Sequence, residues 1–156
     1  MKIGIVGTGN ISSRHLNEFS SIENVKVEAV CDINENNLKK FLFENKDKNI
    51  RGYLSLEEML EKEKTFDGIS NTTPDKFHKK TTLQVLDKGY NIFCEKPLAE
   101  NYEDAKVMVD AAIKSNKVNM VNFTYRESSA YQKLVEIIKS GRLGKPRHVS
   151  ACYYQS

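Results

Sequence analysis

The fold of this 156-residue chain is decided by the stretch from Lys2 to Ser12, which reads Lys-Ile-Gly-Ile-Val-Gly-Thr-Gly-Asn-Ile-Ser. Its apolar beginning predicts a buried strand, and Gly7 and Gly9 predict a tight turn directly after that strand. Apolar residues at helical spacing follow as far as Phe19. The stretch therefore predicts a strand, a glycine-rich turn and a helix, in that order.

The same alternation of strands and helices continues to about residue 121. Short apolar runs without strict polar–apolar alternation are typical of strands that are covered on both faces. Together with the first strand, they lie at residues 2–6, 25–31, 51–54, 66–70, 91–94 and 118–121. Helical segments lie between them. Ser55 and Glu58 predict a capping box, Asn101 predicts an N-cap, and Gly89 is predicted to lie just after the last turn of a helix. The chain is therefore predicted to be an α/β protein, with a doubly wound parallel sheet of the Rossmann type over residues 1–121.

The rhythm changes over residues 122–156. A loop at 122–126 is followed by a helix that ends at Gly141, and residues 147–154 read as one further strand. Because a strand without a successor lacks ladder partners, we expect this region to be a crossover helix and the first strand of an incomplete second α/β domain. We expect the orphan strand 147–154 to be either disordered or paired with the same strand of another copy. Pairing with another copy predicts a homo-oligomer.

Composition narrows the classes of partner. The chain has 24 Lys and Arg against 21 Asp and Glu, a net charge of +3, which does not favour a nucleic-acid or membrane partner. No run approaches the roughly 18 apolar residues of a membrane span, and no signal-peptide pattern begins the chain. Cys31, Cys94 and Cys152 lack metal or disulfide spacing, as do His15 and His148 for a metal. These features predict a cytoplasmic protein with reduced thiols and no metal.

The glycine turn has the spacing of a dinucleotide-binding site. In such sites a residue like Gly7 permits the tight turn, one like Gly9 lets backbone approach a pyrophosphate, and a small residue at the Ser12 position allows close packing. Asp32 closes the second strand about 20 residues later, where a carboxylate accepts hydrogen bonds from the adenosine ribose. The alternative is that Asp32 is a turn or cap residue ahead of Asn34.

The carboxylate also bears on the choice between two cofactors. A negative charge at Asp32 repels a 2′-phosphate, which favours NAD over NADP. Lys39 and Lys40 follow about two helical turns later and are candidates for binding a 2′-phosphate, although lysines on a solvated helix face are the commoner explanation.

Polar residues gather where the later strands end, which is where ligands bind in open α/β sheets. Lys96 is the candidate catalytic residue, because an ammonium there can hydrogen-bond a substrate oxygen during hydride transfer. The alternative is a surface pair of Glu95 and Lys96 in a turn. His78 is either a packing or capping histidine or a cofactor contact, and Cys94 reads as a small buried apolar residue rather than a nucleophile.

These motifs, in this order along the chain, resemble the Gfo/Idh/MocA oxidoreductases, named for glucose–fructose oxidoreductase and inositol dehydrogenase. The matching segments are residues 4–12, Cys31-Asp32, Asn71-Thr72-Thr73-Pro74 with His78, Cys94-Glu95-Lys96-Pro97-Leu98, residues 122–126 and residues 141–146. The resemblance implies a Rossmann domain that binds NAD or NADP and a C-terminal domain that carries most contacts to a small-molecule substrate. It also implies dehydrogenase or reductase chemistry at a hydroxyl or carbonyl carbon of a sugar, a cyclitol or a similar molecule.

The family's site residues carry over to named positions. Lys96 falls where the family has its catalytic or substrate-positioning lysine, and the Lys96–Pro97 bond is a candidate for the cis form. The resemblance, with the glycine turn, makes the candidate cofactor-binding residues Gly7, Thr8, Gly9, Asn10, Ile11, Asp32, Asn71, Thr72, Thr73, Pro74, His78, Glu95, Lys96 and Asn122. Ser12 stands at a position where the family usually has a small apolar residue. The substrate domain, with its acid–base partner, is not found before Ser156, so we expect this chain alone to be catalytically incomplete.

Two other functions stay open at this point. The first is a non-catalytic dinucleotide-binding or sensory module, in which Lys96 is incidental. The second is an NAD-dependent glycosidase in a full-length parent, since a minority of the family uses tightly held NAD to cleave glycosides.

Overall fold

The computed structural model describes residues 1–154 and contains one parallel sheet flanked by helices. The strands are β1 (Lys2–Val6), β2 (Lys26–Cys31), β3 (Arg51–Tyr53), β4 (Gly68–Asn71), β5 (Asn91–Glu95) and β6 (Asn119–Asn122). The helices are α1 (Asn10–Ser21), α2 (Glu35–Glu44), α3 (Leu56–Lys62), α4 (Asp75–Asp87), α5 (Tyr102–Ser115) and α6 (Ser129–Lys139), with a 3-10 turn at Lys46–Lys48.

The strand order is β3-β2-β1-β4-β5-β6, and each neighbouring pair is parallel. The chain winds outward from β1 in one direction and then starts again from β4 in the other direction. This order confirms the predicted doubly wound Rossmann-type sheet, with each of the six predicted strands shifted by no more than two residues.

Helices cover both faces of the sheet because side chains alternate along β1. Ile3 and Ile5 pack on one face with Leu16 of α1 and Phe41 of α2. Val6 points to the other face, where its cluster includes residues of α3, α4 and α5. Burial on both faces explains why these strands read as continuous apolar runs in the sequence.

A crevice opens where the strand order reverses, between the carboxyl ends of β1 and β4. Val6 lies in register with Asn71. The backbone N–H of Thr72 donates to the Val6 carbonyl at 2.8 Å, and the Thr72 hydroxyl is 2.8 Å from the Gly7 carbonyl. These bonds join the two loops that follow the strands, at the position where ligands bind in such sheets.

Side-chain caps define the helix starts that the sequence indicated. Asn101 accepts a hydrogen bond from the Asp104 N–H at 2.8 Å, and Asn34 caps α2. Ser55 accepts from the Glu58 N–H at 3.4 Å, which is one half of the predicted capping box. The other half is missing because the Glu58 carboxylate bonds Lys62 of its own helix at 2.7 Å.

A second compact unit begins at Phe123 and contains α6. Residues 147–154 do not form a strand in this single chain, and the expectation that they pair with another copy or begin a second domain stays a prediction. A strand needs a neighbouring backbone to receive its N–H and C=O groups, and residues 1–154 supply no such neighbour to this segment. Among residues 1–154, no helix has the length and apolar character required to cross a bilayer.

Candidate functional site

A cleft of about 710 Å³ lies in the first unit, at the carboxyl ends of β1, β2 and β4. The glycine turn after β1 forms its floor, together with Asp32 at the end of β2. Its walls come from the loop after β4 and the beginnings of α3 and α4. The exposed lining is more apolar than polar, with a few polar groups among it, which is the usual composition of a small-molecule site.

The glycine turn has two glycines with different structural requirements. Gly7 has φ +89°, and a Cβ at this position would lie 2.8 Å from the Thr72 carbonyl oxygen. Gly9 has φ −73°, and a Cβ there would meet no atom within 4 Å. Gly7 is therefore required by the backbone of the protein itself, whereas the space beside Gly9 is open to a ligand.

The first turn of α1 presents its backbone N–H groups at this open space. No side chain caps the helix at Gly9; the Ser12 N–H donates to the Gly9 carbonyl at 3.1 Å, and the Asn10 and Ile11 amides have no capping oxygen. Ser12, which departs from the family pattern, is fully buried, and its hydroxyl donates to the Gly9 carbonyl at 2.5 Å. Serine fits here because that bond satisfies its one polar group. Free amides at a helix N-terminus fit a diphosphate.

Asp32 is held in place by its neighbours in the glycine turn and the following loop. One carboxylate oxygen, Oδ2, accepts from the backbone N–H of Thr8 at 2.7 Å and from its hydroxyl at 2.8 Å. The other, Oδ1, accepts from the Asn34 N–H at 2.8 Å. Asp32 is therefore a turn residue and a wall of the cleft at once, and the two readings of the sequence are compatible.

The two lysines considered for a 2′-phosphate are engaged elsewhere on α2. Lys39 Nζ lies 2.7 Å from the Glu35 carboxylate, and Lys40 Nζ lies 3.9 Å from the Glu44 carboxylate. Both pairs are exposed and of the i,i+4 type. Neither lysine lines the cleft, which supports the solvated-face interpretation.

A second group of polar side chains meets at the carboxyl ends of β4, β5 and β6. Glu95 is 7% exposed, and its Oε1 lies 2.7 Å from His15 Nε2 and 2.5 Å from Asn122 Nδ2. Its Oε2 accepts from the Lys96 backbone N–H at 3.2 Å. On the other side of the ring, His15 Nδ1 is 2.8 Å from the Ser70 hydroxyl. Glu95 thereby links α1, β5 and β6.

This network keeps the Glu95 carboxyl ionised despite its burial. Burial raises the pKa of Glu95, but the hydrogen bonds from Asn122 and His15 outweigh burial, and the pKa lies below its ordinary value. The arrangement fixes a negative charge within hydrogen-bond distance of the Lys96 backbone N–H.

The loop after β4 is organised from within. Asn71 is fully buried; its Oδ1 accepts from the Thr73 hydroxyl at 2.8 Å, and its Nδ2 donates to Thr82 Oγ1 at 3.2 Å. Asn71 therefore shapes the loop, while Thr72, Thr73 and Pro74 line the cleft.

His78 lies behind this loop rather than in the cleft. It is 1% exposed, with Nδ1 at 2.7 Å from the Pro97 carbonyl oxygen and Nε2 at 2.8 Å from the Thr73 carbonyl oxygen. Its two contacts are therefore to backbone of the loops that follow β4 and β5.

Lys96 is exposed at the end of β5, and the Lys96–Pro97 peptide bond is cis. Cys94, two residues earlier, is buried, and burial raises the pKa of its thiol to about 11. Burial likewise raises the pKa of Cys31 to about 12. Neither thiol is in the thiolate form that a nucleophile needs at neutral pH. Within the described part of the chain, no group of three or more His, Cys, Asp or Glu side chains forms a candidate metal site.

The structure brings eight of the sequence-predicted residues to the cleft: Gly7, Gly9, Asn10, Ile11, Asp32, Thr72, Thr73 and Pro74. Thr8, Asn71 and His78 support this lining from behind, whereas Glu95 and Asn122 lie in the network around His15. Sequence reasoning missed the apolar wall formed by Leu54, Leu56 and Phe77. It also missed His15, although this residue falls on the buried face of α1 together with Ser12 and Leu16.

Comparison with known proteins agrees with this geometry. The model of the GFO_IDH_MocA family, described as an oxidoreductase family with an NAD-binding Rossmann fold, matches residues 1–123. The chain is 32% identical over 143 residues to glucose-6-phosphate 3-dehydrogenase of Bacillus subtilis, covering 92% of this chain and 39% of that protein. It is 31% identical over 162 residues to inositol 2-dehydrogenase of Salmonella paratyphi B, covering 100% of this chain and 46% of that protein.

A solved structure supports the same relationship. The WlbA dehydrogenase of Bordetella pertussis, crystallised with NADH and UDP-GlcNAcA, aligns with a TM-score of 0.83 at 27% identity, over 92% of this chain and 43% of that one. The chain thus spans less than half the length of these relatives. It belongs to the Gfo/Idh/MocA oxidoreductase family and contains that family's NAD-binding Rossmann domain.

Proposed function

We propose that this chain binds NAD(H) in the cleft and supplies the cofactor-binding part of an enzyme that oxidises or reduces a sugar or cyclitol. The observation that carries the proposal is the pairing of the uncapped α1 N-terminus beside Gly9 with the fixed carboxylate of Asp32. The first group of atoms suits a diphosphate, and the second suits the adjacent ribose. Relatives named as inositol and glucose-6-phosphate dehydrogenases support the substrate class.

NAD is the preferred cofactor in this proposal. The Asp32 carboxylate accepts hydrogen bonds, so it suits the 2′-hydroxyl, and it repels a 2′-phosphate. Because Thr8 and Asn34 hold both of its oxygens, the carboxylate does not swing aside to admit the phosphate. The pairing of Lys39 with Glu35 leaves that cation partly neutralised.

Lys96 is the proposed catalytic residue. Hydride transfer is the chemistry that a nicotinamide supplies when bound. An exposed ammonium at the end of β5 donates a hydrogen bond to the reacting hydroxyl or carbonyl oxygen and stabilises negative charge that develops on it. The Glu95 carboxylate accepts a hydrogen bond from the Lys96 backbone N–H and thereby fixes the backbone from which the Lys96 side chain extends.

A fluorescence titration with NADH and NADPH tests the cofactor proposal on this chain. We expect NADH to bind more tightly than NADPH, and Asp32→Asn to narrow the ratio of the two affinities by about tenfold, since 1.4 kcal/mol corresponds to a factor of ten. Asp110→Asn, which neutralises an exposed carboxylate on α5, is the matched control and should leave the ratio unchanged. Absence of binding by either coenzyme at millimolar concentration would refute the proposal.

The catalytic proposal needs a protein in which this chain is joined to a substrate domain. There, Lys96→Ala should lower turnover by about 10²–10⁴-fold, the usual contribution of such a group, with NADH affinity within twofold of wild type. Lys106→Ala, on the exposed face of α5, is the control. Unchanged turnover in Lys96→Ala would refute the catalytic role of Lys96.

A further inference from the structure

One side chain connects the two parts of the proposed site. His15 lies on the buried face of α1, the helix whose first amides face the cleft beside Gly9. Its Nε2 lies 2.7 Å from Oε1 of Glu95, the last residue of β5, and Lys96 follows directly. His15 lies about 8 Å along the helix axis from Asn10, since an α-helix rises about 1.5 Å per residue. A short, rigid piece of helix therefore separates the proposed diphosphate site from the contact with Glu95.

The contact between His15 and Glu95 is buried on both sides. His15 is 5% exposed and Glu95 is 7% exposed. Burial raises the pKa of Glu95, and the hydrogen bonds from Asn122 and His15 bring it below its ordinary value. Among residues 1–154, no buried side-chain nitrogen or oxygen lacks a hydrogen-bond partner. Removal of the donor at His15 would leave a buried carboxylate with fewer partners, which is costly.

The two side chains that donate to Glu95 belong to different layers of the fold. Asn122 ends β6, the strand beside β5, and its Nδ2 lies 2.5 Å from Oε1, so this bond holds the carboxylate to the sheet. Of the contacts described within residues 1–154, the one with His15 ties the same carboxylate to α1. The other oxygen, Oε2, accepts from the Lys96 N–H at 3.2 Å. The position of α1 is thereby passed to the backbone of Lys96.

The His15 ring is held in one orientation by its other neighbours. Its Nδ1 lies 2.8 Å from the Ser70 hydroxyl on β4. The ring centroids of Phe93 and Phe19 lie 5.6 and 6.1 Å from that of His15. Polar contacts at both nitrogens and aromatic packing fix the ring, so Nε2 stays opposite Glu95. Locked rotamers of this kind are what a precisely placed site requires of its supporting residues.

We propose that His15 is a positioning residue, which acts through Glu95 to hold the Lys96 turn at a fixed place relative to the diphosphate end of the cleft. The inference rests on the proposed function, because it needs a coenzyme that reaches from the α1 N-terminus to Lys96. A reacting group must be held within about 0.5 Å of its productive position, and helices provide that precision better than loops do. His15 itself contacts neither coenzyme nor substrate in this proposal.

Two substitutions of matched shape separate this role from a purely structural one, in which the ring only fills space. His15→Gln carries an amide nitrogen as many bonds from Cβ as Nε2 is, and that nitrogen can donate to Glu95. His15→Met has a similar length and flexibility but is apolar, so it fills the space without supplying the donor. Glu18→Gln changes an exposed side chain of α1 and is the control.

Calorimetric titration of the 156-residue chain with NADH and with ADP tests the role. ADP carries the adenosine and the diphosphate of the coenzyme but lacks its nicotinamide riboside, so it does not report on the Lys96 turn. His15→Met should bind NADH about 3- to 10-fold more weakly than wild type, the range expected for a lost hydrogen bond, with ADP affinity within about twofold. His15→Gln should restore NADH affinity to within about twofold of wild type, and Glu18→Gln should match wild type for both ligands.

Three other patterns would overturn the inference. Equal loss of NADH and ADP affinity in His15→Met would show that His15 supports only the α1 end. Unchanged NADH affinity would show that the Lys96 turn does not depend on it. NADH binding as weak in His15→Gln as in His15→Met would show that the bond to Glu95 is not the cause. If circular dichroism shows that His15→Met is unfolded, His15→Asn replaces it with the same expected loss, because its shorter amide reaches toward Ser70 and not Glu95.

Failure of the proposed function would look different. A wild-type chain that binds neither NADH nor ADP refutes the proposed function, and the role of His15 is refuted with it. A wild-type chain that binds both ligands, with NADH affinity indifferent to His15→Met, refutes only the role of His15.

Discussion

Two alanine substitutions in the glycine turn should have opposite consequences. Gly7→Ala should destabilise the fold, because the new Cβ would lie 2.8 Å from the Thr72 carbonyl oxygen and the residue has φ +89°. The unfavourable φ costs about 1–2 kcal/mol, and forcing a methyl into packed backbone costs about 1–3 kcal/mol. The sum is about 2–5 kcal/mol, which lowers the melting temperature of a chain of this size by about 4–20 °C.

Gly9→Ala is the matched control for stability and the test variant for binding. With φ −73° and no atom within 4 Å of the new Cβ, alanine is accommodated without strain. The free energy of unfolding should stay the same or rise by about 0.4–1 kcal/mol, since alanine restricts the unfolded chain. The methyl occupies the space proposed for the diphosphate, so NADH affinity should fall at least tenfold through lost amide contacts.

Urea unfolding followed by circular dichroism, and NADH fluorescence titration, measure the two effects on the same samples. The expected pattern is a destabilised Gly7→Ala and a stable Gly9→Ala that binds NADH poorly. A Gly9→Ala variant with wild-type affinity would show that the α1 N-terminus is not the diphosphate site. A Gly7→Ala variant of wild-type stability would refute the steric argument.

Three further outcomes follow from other parts of the structure. Iodoacetamide at pH 8 should label the exposed Cys152 and leave the buried Cys31 and Cys94 unmodified, which mass spectrometry measures. Labelling of a buried thiol in the folded protein would contradict the raised pKa values of Cys31 and Cys94. Because the pKa of Glu95 is lowered in the folded protein, its ionised carboxyl stabilises the fold above about pH 4.5, and this contribution is lost as the pH falls below that value. The difference in unfolding free energy between wild type and Glu95→Gln, measured by urea unfolding, should therefore shrink at acidic pH. Asn101→Ala should cost about 0.5–2 kcal/mol and Ser55→Ala less, because their capping bonds are 2.8 and 3.4 Å long; equal losses in urea unfolding would contradict this ranking.

The order of elements could be predicted from the sequence because the sheet is covered on both faces. A strand that is buried on both faces has apolar residues at successive positions, so strands such as β1 stand out in the sequence as continuous apolar runs. Caps such as Asn101 mark helix starts for an equally local reason. Residues 147–154 have the composition of a strand, yet composition does not supply the neighbouring backbone that makes one.

The site was only partly predictable because spatial neighbours are not sequence neighbours. The glycine turn and Asp32 belong to a motif with fixed spacing, so they were found. Leu54 and Phe77 enter the cleft only because β3 lies beside β2 and α4 follows β4 in space. His15 faces Glu95 across 80 positions of sequence, and no local pattern encodes that contact.

The hold of Thr8 and Asn34 on Asp32 has a consequence for binding kinetics. Three hydrogen bonds orient the carboxylate before any ligand arrives, so little conformational entropy is lost when a ribose docks. Preorganisation of this kind predicts association in a single fast phase, without a slow rearrangement of the loop. The half of the coenzyme that carries adenine would then act as an anchor, delivering the reactive ring to its place by tethering.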